Sequence, residues 1–109
     1  PVSVDEVETA KQHCVASIKL SSRTDKSRAE RLKKAIAMLE GTLAPYERCV
    51  VSMATNPEHP ATIEEQQAAE TAIRGIMPHN PQIKWHFHME KSICAEKAMN
   101  VRIIASKND

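Results

Sequence analysis

The chain has 109 residues, a length typical of one domain, with a net charge of +1 and only 3% aromatic residues. Glycine occurs twice, and Ala, Glu, Lys and Gln are plentiful, a balance that favours helices and argues against an all-β fold. We therefore expect a single domain over residues 1–109 and exclude a division into two.

Cysteine usage indicates the compartment. The three cysteines, Cys14, Cys49 and Cys94, are an odd number without CxxC spacing. This pattern argues against a secreted disulfide framework and predicts a reducing environment. No apolar run reaches the length of a membrane span, and the acidic first residues do not resemble a signal peptide. We expect a cytoplasmic chain without membrane contact.

The first predicted element is a helix over residues 3–20. Ser3 and Glu6 have the spacing of a capping box, in which each side chain binds the backbone N–H of the other residue. Turn-forming residues at 21–24 end this helix, and Thr24 is a candidate N-cap for the next one.

The strongest periodic signal is a stripe of apolar residues spaced alternately three and four positions apart. This period of 3.5 residues predicts a second helix that packs along a seam. Gly41 and Pro45 interrupt it, since an interior proline loses a hydrogen bond and clashes with the preceding turn, at about 3 kcal/mol. We expect a kink or break near residues 41–45. The stripe consists of Ala29, Leu32, Ile36, Leu39, Leu43, Tyr46, Val50 and Met53.

A third helix is predicted from a second capping box, formed by Thr62 and Glu65. Pro78 ends it. Asn80 and Pro81 then have the order of an N-cap followed by a first-turn proline, which predicts that a fourth helix follows at once.

The segment 82–89 has two interpretations. Its apolar and polar residues alternate, as in a half-buried strand, but the Asn-Pro start and the residues that follow favour a helix. We predict the helix. Residues 101–105 either extend it or form a terminal strand. The fold class we predict is all-α, a compact bundle of four to five helices with room for a short C-terminal strand.

Basic residues are concentrated in segment 19–34, where seven basic and two acidic side chains give a local charge of +5, whereas residues 58–80 have a charge of −3. Lys and Arg bind nucleic acid by neutralising phosphates, which requires only a positive surface. Helix three, a turn and helix four also have helix-turn-helix order, which adds basic residues of helix four. The candidate nucleic-acid-binding residues are Lys19, Arg23, Lys26, Arg28, Arg31, Lys33, Lys34, Lys84 and Lys91.

Motifs for catalysis or metal binding are weak. His86 and His88 form an HxH pair, but a full ligand set is missing, so we expect no metal and no cofactor. The sequence has no phosphate-binding P-loop, no GxGxxG, no HExxH and no nucleophile elbow. We expect no enzyme and no catalytic residue.

The apolar stripe either packs within the chain or pairs with a second copy or a partner helix. A small core with few aromatics favours a homodimer. Our first functional prediction is a small non-catalytic protein that binds nucleic acid through residues 19–34. The alternative is a helical adaptor or regulatory subunit that acts as a homodimer or with a partner helix.

Overall fold

The structure is a computed structural model that describes residues 13–20, 27–93 and 98–107. Within these ranges no helix has the length and apolar character needed to cross a bilayer. Four strands and three helices make up this part of the chain. In chain order they are β1 (His13–Leu20), α1 (Arg28–Ala37), α2 (Glu40–Leu43), β2 (Arg48–Thr55), α3 (Ile63–Ile76), β3 (Gln82–Met89) and β4 (Met99–Ser106).

The strands form one mixed sheet in the order β1-β4-β2-β3. Strand β4 pairs antiparallel with both β1 and β2, while β2 and β3 are parallel and are joined through α3. In the described chain β1 and β3 are therefore the two edge strands.

Both longer helices pack on the same face of this sheet. Burial alternates strictly along both β2 and β4, so every second residue of these strands faces the helices. Helices α1 and α3 also pack against each other. The largest fully buried apolar side chains of this core are Leu32, Ile36, Leu43, Val51, Met53, Ile73, Met77, Met99, Val101 and Ile103.

The predicted all-α bundle is therefore wrong, because the chain forms an α/β fold with a four-stranded sheet. Residues 13–20 of the predicted first helix form strand β1. Its proposed cap at Ser3 and Glu6, and the candidate cap Thr24, lie outside the described residues. The side chain that caps α1 is Ser27, whose hydroxyl accepts a hydrogen bond from the Glu30 backbone N–H at 3.1 Å.

The apolar stripe does not run along one helix. It passes through α1 and α2 and then into strand β2, where residues three apart lie on opposite faces. Met53 accordingly lies in the core, while Val50 lies on the other side of the sheet. The helical part of the stripe ends at Leu43, inside the range where Gly41 and Pro45 indicated a break.

The predicted fourth helix is also wrong. His79 and Asn80 have φ angles of 74° and 54°, in the left-handed region, so Asn80 does not adopt the extended backbone of a helix N-cap. The chain then enters strand β3 at Gln82, in agreement with the alternating pattern of residues 82–89. Residues 101–105 lie in β4, which is the strand alternative left open by the sequence.

The capping box of α3 is confirmed. The Glu65 N–H donates to the Thr62 hydroxyl at 3.1 Å, and the Thr62 N–H donates to the Glu65 carboxylate at 2.8 Å. We expect Thr62→Ala to lower the free energy of unfolding by about 1 kcal/mol, since a backbone N–H loses its acceptor. Thr71→Ala, at an exposed position within the same helix, is the control and should not destabilise. Urea denaturation of both variants checks this, and equal losses would contradict it.

Candidate docking surface

Arg28 lies at the first turn of α1 and is only 6% exposed. Its Nε and Nη2 donate to the two carboxylate oxygens of Glu65, the Nη2 bond at 2.8 Å. Its remaining N–H groups donate to the backbone carbonyls of His59, Pro60 and Ala98 at 2.8 to 3.1 Å. All five donors of the guanidinium are thereby used within the fold. Arg28 stabilises the junction of α1, α3 and the approach to β4 and has no donor left for a phosphate.

The other predicted basic residues do not all lie on one surface. Arg31, Lys33 and Lys34 lie on α1, in the helical layer, and Lys33 lines a shallow groove with Glu30 and Glu64. Lys19 lies on β1, in the sheet, and Lys91 lies in the turn after β3. Arg23 and Lys26 lie outside the described residues.

The sheet face opposite the helices is called the open face below. Two of the predicted nucleic-acid-binding residues, Lys19 and Lys84, lie on it. Strand register places two further cations, Arg48 and Arg102, on the same face, and sequence analysis missed both. Arg48 Nε donates to the Ser106 hydroxyl at 2.8 Å, across the β2–β4 pair. The period of two in residues 48–55 and 99–106 is the signal that identifies these residues. The described open-face residues are Val15, Ser17, Lys19, Arg48, Val50, Ser52, Ala54, Gln82, Lys84, His86, His88, Asn100, Arg102, Ile104 and Ser106.

His86 and His88 also lie on the open face, two residues apart on β3. Their ring centroids are 6.4 Å apart, and Nε2 of His88 lies 2.7 Å from the Ser52 hydroxyl, within hydrogen-bonding distance. Across residues 13–20, 27–93 and 98–107, no group of three or more His, Cys, Asp or Glu side chains is assembled for a metal ion. On this geometry the two imidazoles contribute hydrogen-bonding surface.

The charge of the open face has a single sign. Its described residues include four Lys or Arg side chains and two histidines, and none of them is acidic. Charges of one sign on one surface add to a positive potential that attracts and orients acidic partners. The positive charge of the open face therefore comes from one cation on each of the four strands and not from one basic segment of the sequence.

An apolar row crosses the open face. Val15 of β1 is paired with Ile104 of β4, which is in turn paired with Val50 of β2, so three aliphatic side chains are direct cross-strand neighbours. Val15 is 46% exposed. No described helix lies over this row, because α1 and α3 pack on the opposite face. The open face thus combines a basic surface with an apolar strip, as protein-binding surfaces do.

The aliphatic seam once expected to pair with another helix is used inside the fold. Leu32, Ile36 and Leu43 are fully buried against the sheet, and Leu39 is partly buried. A second copy therefore cannot bind along these residues without unfolding the core. A homodimer through another surface stays a prediction.

No protein-family model and no curated protein matches the sequence. Solved structures do match its fold. A point mutant of FtsZ from M. jannaschii superposes with a TM-score of 0.62 at 11% identity, covering 95% of this chain and 31% of that one. The GDP-bound monomer of CetZ1 from Haloferax volcanii gives a TM-score of 0.58 at 14% identity, covering 99% of this chain and 34% of that one.

These likenesses correct the predicted function. An α/β fold shared with FtsZ and CetZ1 replaces both the nucleic-acid-binding helical protein and the helical adaptor, and the buried position of Arg28 removes a central predicted phosphate contact. At such low identity the similarity shows the fold alone. The chain spans about a third of the length of each solved structure, so what it resembles is one part of an FtsZ or CetZ1 chain.

Proposed function

We propose that this chain is a non-catalytic docking module that binds an acidic protein surface on its open face, leaving nucleotide chemistry to other parts of a larger FtsZ-like assembly. The observation that carries the proposal is the open face itself, where the described residues provide four cations and no carboxylate. Electrostatic complementarity favours an occupant that supplies negative charge.

The number and position of the glycines argue that the chain itself does not bind nucleotide. Loops that cradle phosphates use glycine so that backbone N–H groups approach the ligand closely. The only glycines in the sequence are Gly41 and Gly75, and both lie inside helices. CetZ1, which was solved with GDP bound, has a chain about three times as long.

The apolar row is the reason to propose a protein partner. A phosphate backbone gains nothing from Val15, Ile104 and Val50, whereas a protein surface can bury them. Two open faces would also repel each other, because Arg102 and Lys84 of each copy would face cations of the other. A second copy is therefore a poor occupant of this face.

The nucleotide part of the proposal is tested by titrating the 109-residue chain with GDP and with GTP in a calorimeter. We expect no binding at nucleotide concentrations of about 1 mM, far above the dissociation constant of a formed nucleotide site. Binding in the micromolar range would show that the chain has a nucleotide site of its own and would contradict the proposal.

The docking part is tested with a fluorescent peptide of ten glutamates as a surrogate acidic surface. We expect binding that weakens with salt and falls about tenfold in Arg102→Glu. Lys33→Glu changes the net charge equally but lies in the helical layer, so it should reduce binding by less than about twofold.

Equal losses in the two variants would show that net charge alone drives binding and would contradict a specific face. Tighter binding of a single-stranded oligonucleotide of equal charge, lost in Arg102→Glu, would likewise contradict an acidic protein partner.

A further inference from the structure

Strand β3 has one hydrogen-bonding edge that no other described strand occupies. Within the described chain it pairs only with β2. The N–H groups of Gln82 and Glu90 donate toward β2, to the carbonyls of Glu47 and Thr55. Because backbone groups alternate in direction along a strand, the intervening even-numbered residues also point to β2. The odd-numbered residues of β3 therefore direct their N–H and C=O groups away from the sheet.

The side chains of those odd-numbered residues form an apolar row beside this edge. Ile83 and Trp85 pack partly against the core, but Phe87 is 49% and Met89 is 59% exposed. The Trp85 and Phe87 rings are nearly parallel, with centroids 6.4 Å apart. The row becomes more exposed toward the end of the strand. Backbone groups and apolar side chains are thus available along the same edge.

The opposite side of β3 is cationic or imidazole-bearing. Lys84, His86 and His88 lie on the open face, and β3 itself has no acidic residue. A strand added to this edge would place alternate side chains beside the apolar row and beside these polar residues. Self-pairing of two β3 strands would align Lys84 and the histidines of one copy with those of the other. A second copy is therefore disfavoured.

We propose that the β3 edge is a docking site for an extended peptide segment that adds a fifth strand to the sheet, with apolar side chains alternating with acidic ones. The apolar side chains cover Phe87 and Met89, and the acidic ones lie beside Lys84 and the histidines. The main-chain hydrogen bonds of the edge contribute affinity, and the positive charge beside it makes the site selective for acidic segments. This site adjoins the open face and shares Lys84 and the two histidines with it, but its main-chain hydrogen bonds lie at the edge of the sheet.

The test uses a capped, fluorescent eight-residue peptide of alternating valine and glutamate, measured by anisotropy against the full chain. We expect it to bind and to change the emission of Trp85, the only tryptophan in the sequence. A peptide of the same composition in two blocks, and a valine–lysine peptide, should bind at least about tenfold more weakly. Comparable binding of the block peptide would overturn the proposal.

Backbone pairing is tested on the peptide, which leaves the protein unchanged. N-methylation removes the donor N–H of a residue. Methylation of all valines and methylation of all glutamates affect opposite edges of the added strand. One of these two peptides should lose binding and the other should keep it. Binding that tolerates both patterns would show that no strand is added.

Two protein variants complete the test. Phe87→Pro removes an outward N–H that β2 does not use, so we expect it to abolish peptide binding while the fold and the binding of oligoglutamate persist. Lys84→Glu should weaken the valine–glutamate peptide about fivefold and strengthen the valine–lysine peptide, a reversal that an unfolded variant cannot produce. The proposal would be overturned if Phe87→Pro kept its affinity for the peptide. It would also be overturned if the unmodified chain bound no peptide but self-associated, and Phe87→Pro abolished that self-association.

Discussion

Arg28→Ala is expected to lower the free energy of unfolding by about 3–5 kcal/mol. The substitution leaves the Glu65 carboxylate buried without its cation, and three backbone carbonyls lose their donor. Urea denaturation followed by circular dichroism measures the loss.

The control for Arg28 is an ion pair on the surface. Arg74 pairs with Glu70 at 3.1 Å on the exposed side of α3 and also donates to the Asn80 side chain and the Pro81 carbonyl. Because its side chain is 41% exposed, Arg74→Ala should lower the free energy of unfolding by about 1 kcal/mol. In Arg28→Met combined with Glu65→Leu, no charge is left buried and unpaired, so the double variant should be more stable than Arg28→Ala. Similar losses for Arg28→Ala and Arg74→Ala would contradict the structural role of Arg28.

The second large effect is expected for Ile103→Ala, which should lower the free energy of unfolding by about 2–5 kcal/mol. Ile103 is fully buried at the centre of β4, so its truncation leaves a cavity between the sheet and the helices. The measurement is again the midpoint of urea denaturation. The slope of the free energy of unfolding against urea concentration should stay constant, which shows that the denatured state is unchanged.

The neighbouring residue gives the matched control. Ile104 has the same side chain but lies on the open face, and Ile104→Ala should lower the free energy of unfolding by less than about 1 kcal/mol. The two adjacent isoleucines differ in expected loss because successive side chains of a strand point to opposite faces of the sheet. Equal losses would contradict the assignment of opposite faces.

Helix α3 was predictable because its signals are local. The capping box of Thr62 and Glu65 and the stop at Pro78 act within one or two turns, so they do not depend on the rest of the fold. The strands were missed because their partners are distant in sequence: His13 of β1 pairs with Ser106 of β4. A helix-favouring composition then decided the interpretation of residues 13–20.

Segment 82–89 shows how a local signal can mislead. Its alternation correctly indicates a strand, but the Asn-Pro pair before it predicts a helix start. The left-handed backbone of His79 and Asn80 gives that pair another role, in the turn that leads into β3. Left-handed conformations are rarer for residues other than glycine, although asparagine and histidine adopt them more often than most.

The open face was predictable only in part. The sequence predicts Lys19 and Lys84 as binding residues, but on two different helices, one in the basic segment 19–34 and one in the predicted fourth helix. Arg48 and Arg102 belong to the same surface only when the strand register is known. Arg28 was selected for its charge alone, and nothing in its sequence neighbourhood indicates that Glu65, 37 residues away, would bury it.

Methyl NMR of the full chain with a soluble paramagnetic agent, which broadens solvent-exposed groups, shows directly whether the helices cover one face of the sheet and leave the other open. We expect strong broadening at Val15, Val50 and Ile104, on the open face, and little at Val51 and Ile103, in the core. Protection of both sets would show that the proposed docking face is already covered and would contradict the proposed function.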